Sequence, residues 1–358
     1  MITTKNNEHK KLNVPNLRFK EFQGEWNSFL INDVCSEFKS GKNIKADSIS
    51  ESGEYPVYGG NGLRGYTASY NHEGLYVLIG RQGALCGNVR SVNGKTYITE
   101  HAIAAAGNEK SNTSFLHYLF FKMNLGQYSD QSAQPGLAVN KLLKLEVSLP
   151  PISEQKKIAK LLSLLDERIA TQNKIIDKLQ SLIKGIGKQL FMDNQNWRTV
   201  KIGELLRIGN GKDYKHLCIG KIPVYGTGGQ MLLVNDYLYD GESVCIGRKG
   251  TIDTPMFLKG KFWTVDTLFY TYDFKDVLPK FCYYLFLQIN WKLYNEGTGV
   301  PSLSKSTIEN IKVKIPSLEQ QQKICSILDC YEHKTNNEEQ ILELYHSEKQ
   351  YLLRQMFI

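Results

Sequence analysis

Two turns of one kind hold the side chains best suited to touch a ligand. They are Gly80-Arg81-Gln82-Gly83 and Gly247-Arg248-Lys249-Gly250. Glycine lets a backbone come close to a partner, and an arginine fork matches a phosphate or a guanine edge. The same turn also suits a hairpin whose arginine pairs with a carboxylate, and the residues alone leave both readings open. Other chemistry is thin. Gly94-Lys95-Thr96 mimics the end of a phosphate-binding loop, but Val89 stands where the first glycine of that loop belongs, so a turn is expected. No G-x-G-x-x-G run joins a strand to a helix, which removes a dinucleotide site. Leu149-Pro150-Pro151-Ile152 lacks the Asn/Asp start and aromatic end of an amino-methyltransferase loop, and reads as a helix start. The His residues are isolated, and no pair of Cys has C-x-x-C spacing, so neither a metal centre nor a disulfide framework is signalled. Glu100-His101 invites an acid–base reading. Its counterpart later in the chain, Asp266-Thr267, lacks the imidazole, so a structural carboxylate is expected at both places.

The elements that must position these turns are duplicated. Tyr55-Pro56-Val57-Tyr58-Gly59 returns as Ile222-Pro223-Val224-Tyr225-Gly226, and Ile79-Gly80-Arg81 as Ile246-Gly247-Arg248. Phe115-x-x-Tyr118-Leu119-Phe120 returns as Phe281-x-x-Tyr284-Leu285-Phe286, and Pro135-x-Leu137 as Pro301-x-Leu303. One nearly constant offset over so many segments means a duplicated domain-sized unit rather than a solenoid. The length of 358 residues likewise suits about two domains.

Each copy ends in a long heptad-patterned helix. In the first, Ile158, Leu162, Leu165, Ile169, Ile176, Leu179 and Ile183 alternate at spacings of four and three, with Gln172 as the polar member. The second places Ile324, Leu328, Leu342 and Leu352 in the same frame, with polar residues at Thr335, Glu338 and Lys349. Ser317 with Gln320 fits a capping box. Each helix of about 40 residues is about 60 Å long. Residues 152–192 carry 8 basic and 4 acidic side chains, and residues 317–358 carry 4 and 7, so opposite charge favours pairing of the two helices. The competing arrangement packs each helix on its own globular part.

The globular parts read as α+β, with short strands such as Gly74–Gly80 and Glu242–Gly247 between Gly/Asn-rich turns. They are basic, with 16 basic against 13 acidic residues in 1–151 and 16 against 12 in 193–316. The whole chain carries +8, which suits a polyanion partner weakly. The polar start and the shortness of the apolar runs Phe115–Phe121 and Phe281–Leu287 exclude a signal peptide and a membrane span, so a cytoplasmic protein with reduced thiols is expected. Framework positions agree between the copies while loop positions diverge. Leu63-Arg64-Gly65-Tyr66 faces Gln230-Met231-Leu232-Leu233, and Gln134 and Asn140 face Val300 and Ser306. Like scaffolds with unlike loops suggest two reading heads with different targets.

The chain resembles the specificity subunits of type I restriction–modification systems. The carriers are Pro15-Asn16-Leu17-Arg18-Phe19-Lys20-Glu21-Phe22-x-Gly24-Glu25-Trp26, the Y-P-V-Y-G-G-N-G segment and the I-G-R-x-G turns. The two helix starts, L-P-P-I-S-E-Q-x-x-I at Leu149–Ile158 and I-P-S-L-E-Q-Q-x-x-I at Ile315–Ile324, also match. The resemblance covers essentially the whole chain. It implies two similar target recognition domains, 1–151 and 193–316, joined by two long antiparallel coiled-coil helices, 152–192 and 317–358, with a pseudo-two-fold internal repeat. Each domain would read one half of a bipartite, asymmetric site in double-stranded DNA. The helices would fix the gap and dock two modification (methyltransferase) subunits. S-adenosylmethionine chemistry would belong to those subunits, and ATP- and Mg-dependent translocation and cleavage to two restriction subunits, with no cofactor on this chain.

Within that frame the expected DNA contacts are Arg64, Tyr66, Arg81, Gln82, Gln134 and Asn140 in the first head. In the second they are Thr227, Gln230, Arg248, Lys249 and Ser302. Lys and Arg would supply salt-sensitive affinity for phosphates, and loop side chains would read base edges. The alternatives are a methylation-only or type IIG/IIB-like complex, a two-lobed DNA-modifying enzyme, and a scaffold whose heads bind proteins.

Overall fold

A computed structural model describes residues 13–130, 135–192 and 195–358. The chain divides into two compact units: residues up to Gln172 together with Ile341–Ile358, and Asn173–Gln340. Each unit therefore holds one globular head and part of both long helices.

The long helices run Ile152–Met192 and Leu318–Gln355. Each follows a proline, which cannot extend a helix backward but suits its first turn, and Ser317 Oγ accepts from Gln320 N at 3.4 Å. The helices are antiparallel. In the first unit Asp166, near the start of one, binds Lys349, near the end of the other, at 2.5 Å. In the second unit Gln180 donates to Glu339 at 3.4 Å. Ile158, Leu162, Leu165, Ile176, Leu179, Ile324 and Leu328 are buried, and Ile169, Ile183, Leu342 and Leu352 are half-buried. Two of the polar seam positions have local explanations. Thr335 returns its hydroxyl to Tyr331 O at 3.0 Å, and Lys349 neutralises Asp166. The two arrangements weighed from sequence both occur, because the helix ends enter the cores of the heads as well as facing one another.

Each head starts and finishes at one place. Asn27–Leu30 pairs antiparallel with Glu146–Leu149, and Arg198–Lys201 with Lys312–Ile315. In the second head six strands form one sheet, in the order Arg207–Asn210, Leu268–Tyr272, Tyr239–Gly247, Met256–Thr264, Ile219–Gly226, Gly229–Val234. The first head follows the same path in two four-stranded sheets. One runs Cys35–Ser40, Ala102–Gly107, Tyr76–Gly80, Val89–Val92, and the other Gly62–Thr67, Tyr55–Gly59, Lys95–Ile98, His72–Glu73. The bend between its halves falls at Gly74 (φ +112°) and Gly94 (φ +92°), which exchange backbone hydrogen bonds of 3.2 and 3.1 Å. Gly94 thus lies in a bend, whereas Lys95 and Thr96, expected in the same turn, open the strand Lys95–Ile98. Gly241 and Gly260 face each other at the matching place in the second head, also with positive φ, and there the strands continue through.

The apolar runs form buried helices, Thr113–Met123 and Pro279–Gln288. The first is capped by Asn112, whose side chain accepts from Phe115 N at 3.0 Å, and ends on Asn124 in the left-handed region. An aromatic trio then ties head to helices. Phe115 stacks on Phe357 (5.1 Å, 23°) beside Trp26, and Phe281 stacks on Phe191 (5.3 Å, 25°) beside Trp197. Phe191 and Phe357 are repeat equivalents at the ends of the two long helices. The first head is therefore closed by the end of the second helix, and the second head by the end of the first. Periodicity could not reveal this exchange, because it marks a stripe without saying what covers it.

Candidate nucleic-acid interface

A β-bulge sets the most distinctive side chain in each head. In the first, Val57 faces Gly65 and Tyr58 faces Leu63, which leaves Arg64 as the extra residue. In the second, Val224 faces Leu232 and Tyr225 faces Gln230, which leaves Met231 extra. A bulge re-aims a side chain out of the strand's alternation. Here it lays Arg64 across Gly59 and Met231 across Gly226. A Cβ on either glycine would come within 2.9 Å of Arg64 Cδ or Met231 Sδ. A larger residue beneath would have to push the flexible end of that side chain aside, so glycine lets both lie flat, while the residue on top differs.

The G-R-x-G turn lies beside this bulge and is clamped identically in both heads. Arg81 N donates to His101 O (2.9 Å), Leu137 N to Arg81 O (2.9 Å) and Gly83 N to Pro135 O (3.1 Å). Arg248 N donates to Thr267 O (2.8 Å), Leu303 N to Arg248 O (2.9 Å) and Gly250 N to Pro301 O (2.9 Å). These bonds occupy the turn's backbone and leave its side chains to project. Among the described residues, no ion pair involves Arg64, Arg81, Arg248 or Lys249. The carboxylate-paired hairpin is therefore not what forms. Arg248 instead leans on Asp266 O (3.5 Å) and the Phe269 ring (5.9 Å).

In the first head these parts line an open cleft of about 440 Å³, with Gly60, Asn61, Arg64, Gln82, Gly83 and His101 on its walls. His101 Nδ1 lies 3.3 Å from Gln82 Oε1, and its Nε2 lies 3.2 Å from Glu100 Oε1. The cleft thus presents a guanidinium, an amide and an imidazole, all able to bond phosphate oxygens or base edges. The second head offers a different surface. Met231, Leu232 and Leu233 are 53%, 36% and 43% exposed, and an exposed apolar side chain such as Met231 suits a thymine methyl group.

The expected contacts are placed unevenly. Arg64 and Gln82 share the cleft, and half-buried Arg81 anchors its turn. Gln82 bridges to Gly136, as Lys249 does to Ser302. Half-buried Thr227 stands against the second turn, its Oγ1 3.7 Å from where a Cβ on Gly250 would lie. Gln230 is exposed opposite Tyr225. Ser302 is held by Asn295 Oδ1 (2.8 Å), and the neighbouring Glu296 carboxylate, hydrogen-bonded by Thr307 and Ser304, sits below the usual carboxylate range. Two residues lie apart from the cleft walls. Tyr66 is half-buried, its backbone paired with Ser50, and Asn140 is exposed on the short helix Val139–Leu142. Gln134 lies outside the described residues.

Sequence reasoning passed over Met231 and His101. The repeat offset that matched Arg64 to Met231 was the available signal for the first. His101 was set aside because its counterpart is Thr267, yet divergence between copies is what two reading heads should show. The structural role expected of the neighbouring carboxylates holds only in part. Glu100 packs against His101, whereas Asp266 is exposed and offers Arg248 a backbone carbonyl.

Among the described residues no helix is long and apolar enough to cross a membrane. The family described as the type I restriction modification DNA specificity domain matches twice, at residues 23–181 and 194–344. The type I restriction enzyme EcoprrI specificity subunit of Escherichia coli is 42% identical over 154 residues, covering 42% of this chain and 38% of that protein. A putative type I restriction enzyme specificity subunit of Haemophilus influenzae is 27% identical over 348 residues, covering 87% of this chain and 89% of that one. The crystal structure of the S subunit of a type I restriction-modification system from M. genitalium superposes with a TM-score of 0.71 at 19% identity, covering 96% of this chain and 99% of that one. That likeness shows a shared fold. With a duplicated α+β head, two long paired helices and the family's pattern across both copies, the chain belongs to the type I restriction-modification DNA specificity family.

Proposed function

We propose that this chain is the DNA-reading, non-catalytic subunit of a type I restriction–modification complex, with one head reading each half of a bipartite, asymmetric site. One observation carries the reading. Both heads hold the same turn with the same three backbone bonds, and beside it the same bulge carries Arg64 in one and Met231 in the other. A conserved frame with exchanged tips is what two readers of different sequences need.

The basic side chains of both heads contact phosphates and supply salt-sensitive affinity without sequence information. Arg64, Gln82 and His101 read base edges in the first half-site, and Met231 with Lys249 in the second. The long helices hold the heads at a set gap and dock two methyltransferase subunits, which bring S-adenosylmethionine. Two restriction subunits bring ATP- and Mg-dependent translocation and cleavage. The complex works in the cytoplasm.

The test is selection from a random duplex library by the chain assembled with its methyltransferase subunits, at low salt. Selected duplexes should share two short fixed blocks at a constant separation. Failure to retain any duplex would make the heads protein-binding modules. Cleavage or methylation by the chain alone would make it an enzyme.

A further inference from the structure

The two units differ at one repeat-equivalent groove. In the first unit the groove between the start of one long helix and the end of the other is filled by the arm preceding Trp26. Leu17 N donates to Gln355 O at 2.9 Å. Arg18 grips the fully buried Glu154 with two bonds of 2.7 Å. Phe19, Leu161 and Leu352 are all half-buried against the same core, Lys157 Nζ lies 4.5 Å from the Phe19 ring centre, and Glu21 pairs with the same Lys157.

Every one of those receiving residues has a repeat equivalent in the second unit, and nothing described there fills the place. The matching groove is an open cleft of about 510 Å³. Gln189 stands for Gln355, Gln320 for Glu154, Lys323 for Lys157, and Ile327 for Leu161. Burial records the difference. Trp26 is 3% exposed while Trp197 is half-buried, and Leu161 is half-buried while Ile327 is 41% exposed. Among the described residues, Lys323 has only a solvent-exposed pair with Glu319, one turn back on its own helix, which is a weak competitor.

We infer that this second groove is a docking site for an extended segment of a partner polypeptide. The segment carries an aromatic residue and, two positions on, a carboxylate, as Phe19 and Glu21 do. The aromatic ring lies over Lys323 and against Ile327, and the carboxylate binds Lys323. One position differs by design of the site: Gln320 is neutral where Glu154 is charged. The position before the aromatic residue is therefore polar and uncharged, since an arginine there would lose its anion on docking. Among the described residues the chain's own arm is committed to the first unit, and the occupant proposed is therefore a partner.

The probe is a fluorescein-labelled peptide of residues 14–24 carrying Arg18→Gln, titrated with the full chain and followed by anisotropy. It should bind more tightly than the unaltered peptide. Phe19→Ala or Glu21→Lys in the peptide, or Ile327→Glu or Lys323→Glu in the chain, should each weaken binding about tenfold. Lys323 and Ile327 are surface residues, so these variants fold. The Glu21→Lys peptide should regain affinity for the Lys323→Glu chain. Absence of binding, binding indifferent to Lys323→Glu, or a concentration-dependent dimer that excludes the peptide would each overturn the proposal, the last by assigning the groove to a second copy.

Discussion

Gln155 and Gln321, repeat equivalents on the first turns of the two long helices, make the same three hydrogen bonds. Gln155 Oε1 accepts from Asn112 N (2.8 Å), and its Nε2 donates to Lys110 O (2.9 Å) and Pro150 O (2.8 Å). Gln321 Oε1 accepts from Leu278 N (2.9 Å), and its Nε2 donates to Asp276 O (3.0 Å) and Pro316 O (3.1 Å). Both side chains are fully buried. Each ties the residue capping its head's buried helix to the base of a long helix. Gln155→Ala and Gln321→Ala should each destabilise by about 2–4 kcal/mol, because buried backbone groups are left without partners. Urea unfolding measures this, and a loss below about 1 kcal/mol for either would deny the stitch its role.

Stability should fall in mild acid because of His117. Burial, with help from the Lys349 charge, pushes its imidazole down to about 4, and its enclosed Nδ1 has no hydrogen-bond partner among the described residues. The unfolded chain takes up this proton near pH 6.5 while the folded chain resists until about 4. Stability from this site is therefore complete above pH 6.5 and is lost as pH falls through that window, by at most about 3 kcal/mol. In His117→Leu the drop in urea midpoint between pH 7 and pH 5 should be smaller than in the parent chain. Equal drops would remove His117 as the cause.

The bulge residues should set base preference. Arg64→Met should relax a guanine preference in one half-site, and Met231→Arg should create one in the other, each by about 1–3 kcal/mol at a single base pair. Competition binding with single-base duplex variants reads this out. A uniform loss across all duplexes would make Arg64 a phosphate contact instead.

The parts of the fold legible in sequence were those with a period or a repeat. The Ile158–Ile183 seam, the buried Phe115 and Phe281 helices and the duplicated heads all follow from spacing. The exchange of helix ends was not legible, since Phe191 and Phe357 look like any apolar terminus until their partners Phe281 and Phe115 are seen. The bulge was also hidden. Whether Arg64 or its neighbour is the extra residue depends on strand register, which the glycines at 59 and 226 influence but do not announce. The arginines of the two turns needed the fold to decide between a carboxylate partner and none. Tyr66 stands in a segment that diverges between the copies, and sequence could not show that its backbone pairs with Ser50 while its side chain is half-buried.

The central claim is that the heads read independently, and exchange of one head tests it most directly. Residues 12–151 would be replaced by those of another family member, and the methylated sequence mapped across the genome of a host carrying the exchanged chain with its partner subunits. The account predicts that one half of the modified site changes while the other half stays as in the parent. A change in both halves, or in neither, would contradict it.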